Sequence, residues 1–200
     1  MLNIAVLASG NGSNLQAIID FIESNQLQAK IQCVISDRQS AFALERAKKH
    51  AIPAFYINPK DYPSREKHEE TVVQKLSEFT IDLIVLAGYM RLLTPYFLRK
   101  FPNKIINIHP ALLPSFAGAH GIEDAFKYGV KTTGITIHFV DEGVDTGPII
   151  AQIPIEIKDS DTLEILENRI HEQEHLLYPK VLQWFAEKRI TLHNRKVSVK

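Results

Sequence analysis

Asn107 and His109 stand two apart in Ile105-Ile106-Asn107-Ile108-His109-Pro110, an amide and an imidazole inside a run that otherwise reads as a buried strand. Residues two apart on a strand share a face, so both side chains project together from the end of an apolar element that Pro110 terminates. An amide N–H beside a protonatable ring suits stabilisation of a developing oxyanion and movement of a proton. The same pair could simply cap neighbouring backbone groups, and N-x-H alone does not separate the two. Asp145 sits in the glycine-flanked turn Gly143-Val144-Asp145-Thr146-Gly147 after another strand-like segment. There it could reach the same sheet edge and orient His109, whereas Asp141 and Glu142 read as exposed turn acids.

A second candidate is the glycine loop Ser9-Gly10-Asn11-Gly12-Ser13-Asn14, between an apolar run and a helical pattern. Its backbone N–H groups and the following helix N-terminus could hold a phosphate without any Lys or Arg. A dinucleotide fingerprint would require glycine where Leu15 stands, although Asp37 is spaced to bind a ribose, and a Walker loop is absent. Monophosphate binding is therefore the better expectation. A third candidate is Glu174, which falls on the apolar stripe of the last helix between Ile170 and Leu177. A charge there calls for a partner or a ligand. On the same helix His171-Glu172-Gln173-Glu174-His175 matches the His-Glu-x-x-His zinc pattern, with His193 or Glu187 as a third ligand; a zinc hydrolase is thus a competing reading.

The elements that must position these residues alternate. Asn3 to Ala8 is a short apolar run, followed by helical spacing at Leu15, Ile18, Ile19 and Ile22. Lys30 to Ser36 is a second strand, and Ser40 is the expected cap of a helix through Phe42, Leu44 and Ala47. Ala54 to Ile57 and Ile81 to Ala87 are further strands around a helix capped by Ser64, and the Asn107 strand is the fifth. Strict alternation predicts an α/β fold: one Rossmann-like domain over 1–200, a mostly parallel twisted sheet with helices on both faces. The period-two pattern of Thr133 to Val140 predicts an antiparallel or edge strand toward the C-terminal half. Ile149 to Ile157 is another strand. A long helix is expected from about Asp159-Ser160-Asp161, and Asn194 to Lys200 as a peripheral strand or frayed end.

Composition narrows the function classes. The 23 basic and 23 acidic residues cancel, so no global field points to nucleic acid or an anionic membrane surface. No apolar stretch is long enough to span a bilayer, and a cytoplasmic protein with small-molecule substrates is the expectation. The lone Cys33 in a strand-like run reads as a small core hydrophobe.

Five segments in order, Ser9 to Gln16, Leu86 to Leu93, Ile106 to Pro114, His138 to Pro148, and Gln173-Glu174-His175 with Tyr178-Pro179, together resemble the phosphoribosylglycinamide formyltransferase family of purine biosynthesis. The resemblance implies 10-formyltetrahydrofolate as formyl donor, the amine of 5-phosphoribosylglycinamide as acceptor, no metal, and a monomer or homodimer. It implies that Asn107 and protonated His109 stabilise the oxyanion while Asp145 orients His109 and assists proton transfer. It implies phosphate binding by Asn11, Gly12, Ser13 and Asn14 and ribose binding by Glu174. The folate would be lined by Tyr89, Met90, Arg91, Leu92 and Leu93, recognised by the backbone of Val140, Asp141, Glu142, Gly143 and Val144, and reached at its glutamate tail by Arg65. Tyr89 replaces a common phenylalanine, and Ala117 to Ile122 departs from the usual loop wording, leaving the roles of Ser115 and His120 open. A formyltetrahydrofolate hydrolase would use the same triad on water and is the nearest alternative.

Overall fold

The computed structural model describes residues 1–200. Seven strands form one sheet in the order β3-β2-β1-β4-β5-β6-β7. These are β1 (Leu2–Leu7), β2 (Ala29–Ser36), β3 (Ala54–Tyr56), β4 (Leu83–Leu86), β5 (Ile105–His109), β6 (Thr132–Phe139) and β7 (Ile149–Glu156). The first five pair in parallel, while β6 is antiparallel to both β5 and β7. The order reverses between β1 and β4, which makes the carboxyl ends of those strands the switch point where an α/β sheet opens a crevice.

Helices cover both faces, as the alternation predicts. Helix α1 (Ser13–Glu23), α2 (Phe42–Lys49) and α6 (Leu163–Ala186) close over Ile4, Val6, Val34, Val85 and Ile106 on one side. Helix α3 (Arg65–Ser77) and α4 (Pro95–Lys100) close over Ala5, Leu7, Ile35, Ile84 and Ile105 on the other. Each fully buried Ile or Leu contributes roughly 1.5–3 kcal/mol through removal from water, which anchors the strand ends that carry the polar residues. Helix α5 (Gly121–Tyr128) follows the loop after β5.

Several expectations need correction. Ser40 does not cap α2: Ala41 occupies that position without any side-chain bond. The long helix begins after Thr162, whose hydroxyl accepts from the Ile165 N–H, because Asp161 is engaged by Arg169 at 2.7 Å. Of the two alternatives for Thr133 to Val140 the antiparallel one holds: β6 lies inside the sheet, with β7 at the edge. Helix α4 and strand β8 (Ile190–His193) were not legible as separate elements, being short and weakly periodic, whereas β9 (Lys196–Val199) is the peripheral strand expected within Asn194 to Lys200, paired with β8 in a hairpin. Cys33 is buried, and burial pushes its thiol up to about 12. No helix is long and apolar enough to cross a membrane.

Candidate active site

On β5 the face that carries Ile105 into the core turns polar at Asn107 and His109. Antiparallel pairing sets His138 of β6 directly across from Asn107 and Thr136 across from His109, and directly opposed residues point the same way. The side chains therefore meet. Asn107 Nδ2 lies 3.3 Å from His138 Nε2, and His138 Nδ1 donates to the Phe139 carbonyl at 2.8 Å. The Asn107 amide nitrogen is thus held against one nitrogen of the His138 ring while the Phe139 carbonyl anchors the other.

Asp145 arrives from the turn after β6, its side chain 14% exposed. One carboxylate oxygen is 3.3 Å from His109 Nδ1 and the other 3.5 Å from His138 Nε2. The Gly118 N–H donates to it at 2.8 Å. Burial alone would raise this carboxyl, but the His138 contact, the Gly118 N–H and His109 outweigh it and hold Asp145 below the usual carboxylate range. His109 is enclosed differently. Its Nε2 donates to the Phe116 carbonyl at 2.8 Å. Burial lowers its pKa against the opposing pull of Asp145 and that carbonyl. The two groups that flank its ring pull toward the imidazolium while burial resists it.

Both flanking residues are backbone outliers: Phe116 and Asp145 each have φ of 54°. Such strain in non-glycine residues concentrates at functional sites. Gly121 completes the enclosure, since a Cβ there would stand 3.1 Å from both His109 Nε2 and the Phe116 oxygen. The loop left open by its wording thus braces the centre through Phe116, Gly118 and Gly121. His120 does not join it, being 72% exposed and near only Glu123.

These groups form one wall of a cavity of about 390 Å³ at the sheet's switch point, a volume in the range of small-molecule sites. Every folate residue expected between positions 89 and 93 and between 140 and 144 lines it, with Asn107, His109 and Asp145. Met90 and Leu92 are 61% and 56% exposed, an unusual apolar display that suits a flat organic ligand. Arg65 is not in the wall; its guanidinium donates to the Leu92 carbonyl and holds the loop from outside. Asp37 lies within electrostatic reach of Tyr89 and His68.

The glycine loop lies at the same edge. Ser9 N–H donates to the Gly88 carbonyl at 3.0 Å, and Ser9 Oγ accepts from Met90 N–H at 2.9 Å. Gly12 is the α1 N-cap with φ of 74° and no side-chain cap, so the first N–H groups of α1 remain free. Glu174 is 5% exposed and accepts from Asn14 Nδ2 at 3.0 Å, with no Lys or Arg partner. Burial raises its carboxyl despite the Asn14 bond and nearby His171. The acid on the apolar stripe therefore faces the loop instead of a salt bridge. On α6, His175 has Arg46 as a neighbour and a buried, unpartnered Nε2; no group of three or more His, Cys, Asp or Glu is arranged to hold a metal.

Two functional features escaped the sequence reading. His138 could have been found from its place on the polar face of the period-two pattern. Arg46, whose guanidinium meets the loop at Asn11, carries no such signal.

A doubly wound sheet with an amide, two imidazoles and a carboxylate at its switch-point cavity defines a group-transfer α/β protein. The family model described as formyl transferase matches residues 2–182, and the chain belongs to that family. It is 46% identical over 183 residues to phosphoribosylglycinamide formyltransferase of Bacillus subtilis, covering 92% of this chain and 94% of that one. Glycinamide ribonucleotide transformylase 1 from Symbiobacterium toebii superposes with a TM-score of 0.96 at 43% identity, covering 100% and 94% of the two chains. A formyltetrahydrofolate deformylase from Pseudomonas syringae pv. tomato has a TM-score of 0.91 at 30% identity, and 65% of that chain is covered.

Proposed function

We propose that this chain transfers the formyl group of 10-formyltetrahydrofolate to the amine of 5-phosphoribosylglycinamide, a step of de novo purine biosynthesis, within one formyltransferase domain spanning 1–200. The cytoplasm is its proposed compartment. The observation that carries the reading is the convergence of Asn107, His109 and Asp145 on one wall of a cavity tied by Ser9 to a glycine loop.

The folate occupies the cavity between the 88–93 loop and the 140–145 turn, and supplies the formyl carbon. The acceptor is anchored by its phosphate on Asn11, Gly12, Ser13 and Asn14 and by its ribose on Glu174, which aims its amine at that carbon. Attack forms one N–C bond and places negative charge on the formyl oxygen. Asn107 donates an amide hydrogen to this oxygen, and His109 turns its Nε2–H from the Phe116 carbonyl toward it. Negative charge beside the ring favours the imidazolium, which Asp145 shares in stabilising; such preorganised donors are often a large catalytic contribution. Asp145 takes the proton released by the attacking amine; collapse of the oxyanion then breaks the bond between the formyl carbon and the folate nitrogen, and that proton passes to the departing nitrogen.

The test is formyl transfer from 10-formyltetrahydrofolate with and without 5-phosphoribosylglycinamide. Formylated acceptor and tetrahydrofolate should form together only when the acceptor is present. Release of formate at the same rate without acceptor would assign the chain to hydrolysis instead.

A further inference from the structure

Arg46 lies in α2, outside every motif of the chain, yet its guanidinium is aimed at the glycine loop. Nε donates to the Asn11 carbonyl at 2.9 Å, one terminal nitrogen to Asn11 Oδ1 at 3.0 Å, and the other to Gln16 Oε1 at 3.1 Å. The planar fork thereby spans the loop and the first turn of α1. The rest of α2 packs on the loop as well. Ala43 N–H donates to the Gly10 carbonyl at 3.2 Å, and a Cβ on Gly12 would come within 2.8 Å of the Ala43 Cβ. One side of the loop is therefore fully braced by α2.

The partners of Arg46 are all neutral. No carboxylate pairs with it; the nearest acid of the network, Asp20, is bonded at 2.8 Å to the Gln16 amide nitrogen. The guanidinium otherwise stacks over the Phe42 ring at 4.7 Å. An arginine so fully engaged as a donor, with its charge left uncompensated beside unsatisfied helix N–H groups, is arranged for an anion.

We propose that Arg46 is a positioning residue for the acceptor: it holds Asn11 and Gln16 so that the loop presents its N–H groups, and its free charge makes the site selective for phosphorylated acceptors. This rests on the phosphate role proposed for the loop.

The experiment compares kcat/KM for 5-phosphoribosylglycinamide with that for the same acceptor lacking its phosphate. In the unaltered protein the phosphorylated acceptor should be strongly preferred; absence of that preference would overturn the loop's phosphate role itself. Arg46→Gln should then reduce the preference by about tenfold or more, the order expected for a lost charged contact. The loss should fall on the KM of the phosphorylated acceptor, with kcat and the folate KM unchanged. Equal loss on both acceptors, or no loss on either, would overturn the proposal. Arg46→Lys keeps the charge but not the fork and should lose several-fold of the preference. That variant decides the matter, by the same two outcomes, if the glutamine variant does not fold.

Discussion

The glycine loop and the centre of Asn107, His109 and Asp145 lie at one sheet edge but are built by opposite means. Residues 10–14 form the loop from a contiguous stretch whose working groups are backbone N–H donors, held by a glycine φ of 74° at position 12. The centre gathers side chains from β5, β6, the 145 turn and the 116–121 loop, and every one leans on another. A backbone site tolerates change in side chains but not in conformation. A side-chain site is the reverse, and small displacements there disable it.

Substitutions can break that contrast. The largest effect is expected at the centre: His109→Ala or Asn107→Ala should lower turnover by about a hundredfold or more, while the acceptor KM stays within a few-fold. Near-normal turnover in steady-state assays would remove the oxyanion role. Gly12→Ala should act on the loop, since the added Cβ meets both the left-handed φ and Ala43. We expect a rise of about tenfold or more in acceptor KM and a stability loss of about 1–3 kcal/mol. Unchanged acceptor KM and unchanged denaturation midpoint would show that the loop is not conformationally demanding.

Glu174→Gln should divide binding from stability. A buried carboxyl with a raised pKa is destabilising once ionised, so at neutral pH the neutral amide should raise the melting temperature. It retains an oxygen for Asn14 but accepts the ribose hydroxyls less strongly, and the acceptor KM should rise several-fold. A lower melting temperature would contradict the burial argument.

The smallest effect concerns pH. His68, His109 and His175 all have pKa values lowered chiefly by burial. Below about pH 6.5 the unfolded chain binds protons that the folded one refuses, so stability is present above that value and declines as pH falls through it. The melting temperature should drop between pH 7 and pH 5.5. His175→Asn and His109→Asn should each flatten that slope, apportioning it between loop and centre; a slope unaltered by both would exclude His175 and His109 as its source.

How far each region is readable from sequence follows from the same contrast. Strand–glycine–helix is a local pattern, so the loop and the parallel half were legible, as was the shared face of Asn107 and His109. The pairing of His138 with Asn107 depends on the register of β5 against β6, which are separated by a loop and α5. Ser40 misled because the capping preference of its type does not reveal which residue leaves the helical path. The bond from Arg65 to the Leu92 carbonyl joins distant segments and carries no local signal.

Alternation, periodicity and the ordered motifs therefore determined the α/β class, the strand that bears Asn107 and His109, and the family. Tertiary structure decided which acid faces which imidazole, that His109 is enclosed between Asp145 and the Phe116 carbonyl, that Glu174 has Asn14 rather than a cation for its partner, and that Arg46 stands at the loop. The physical reason is range. Backbone conformation and helical or strand period are set by neighbours in sequence, whereas burial, register and the pairing of charges arise only when remote segments share space.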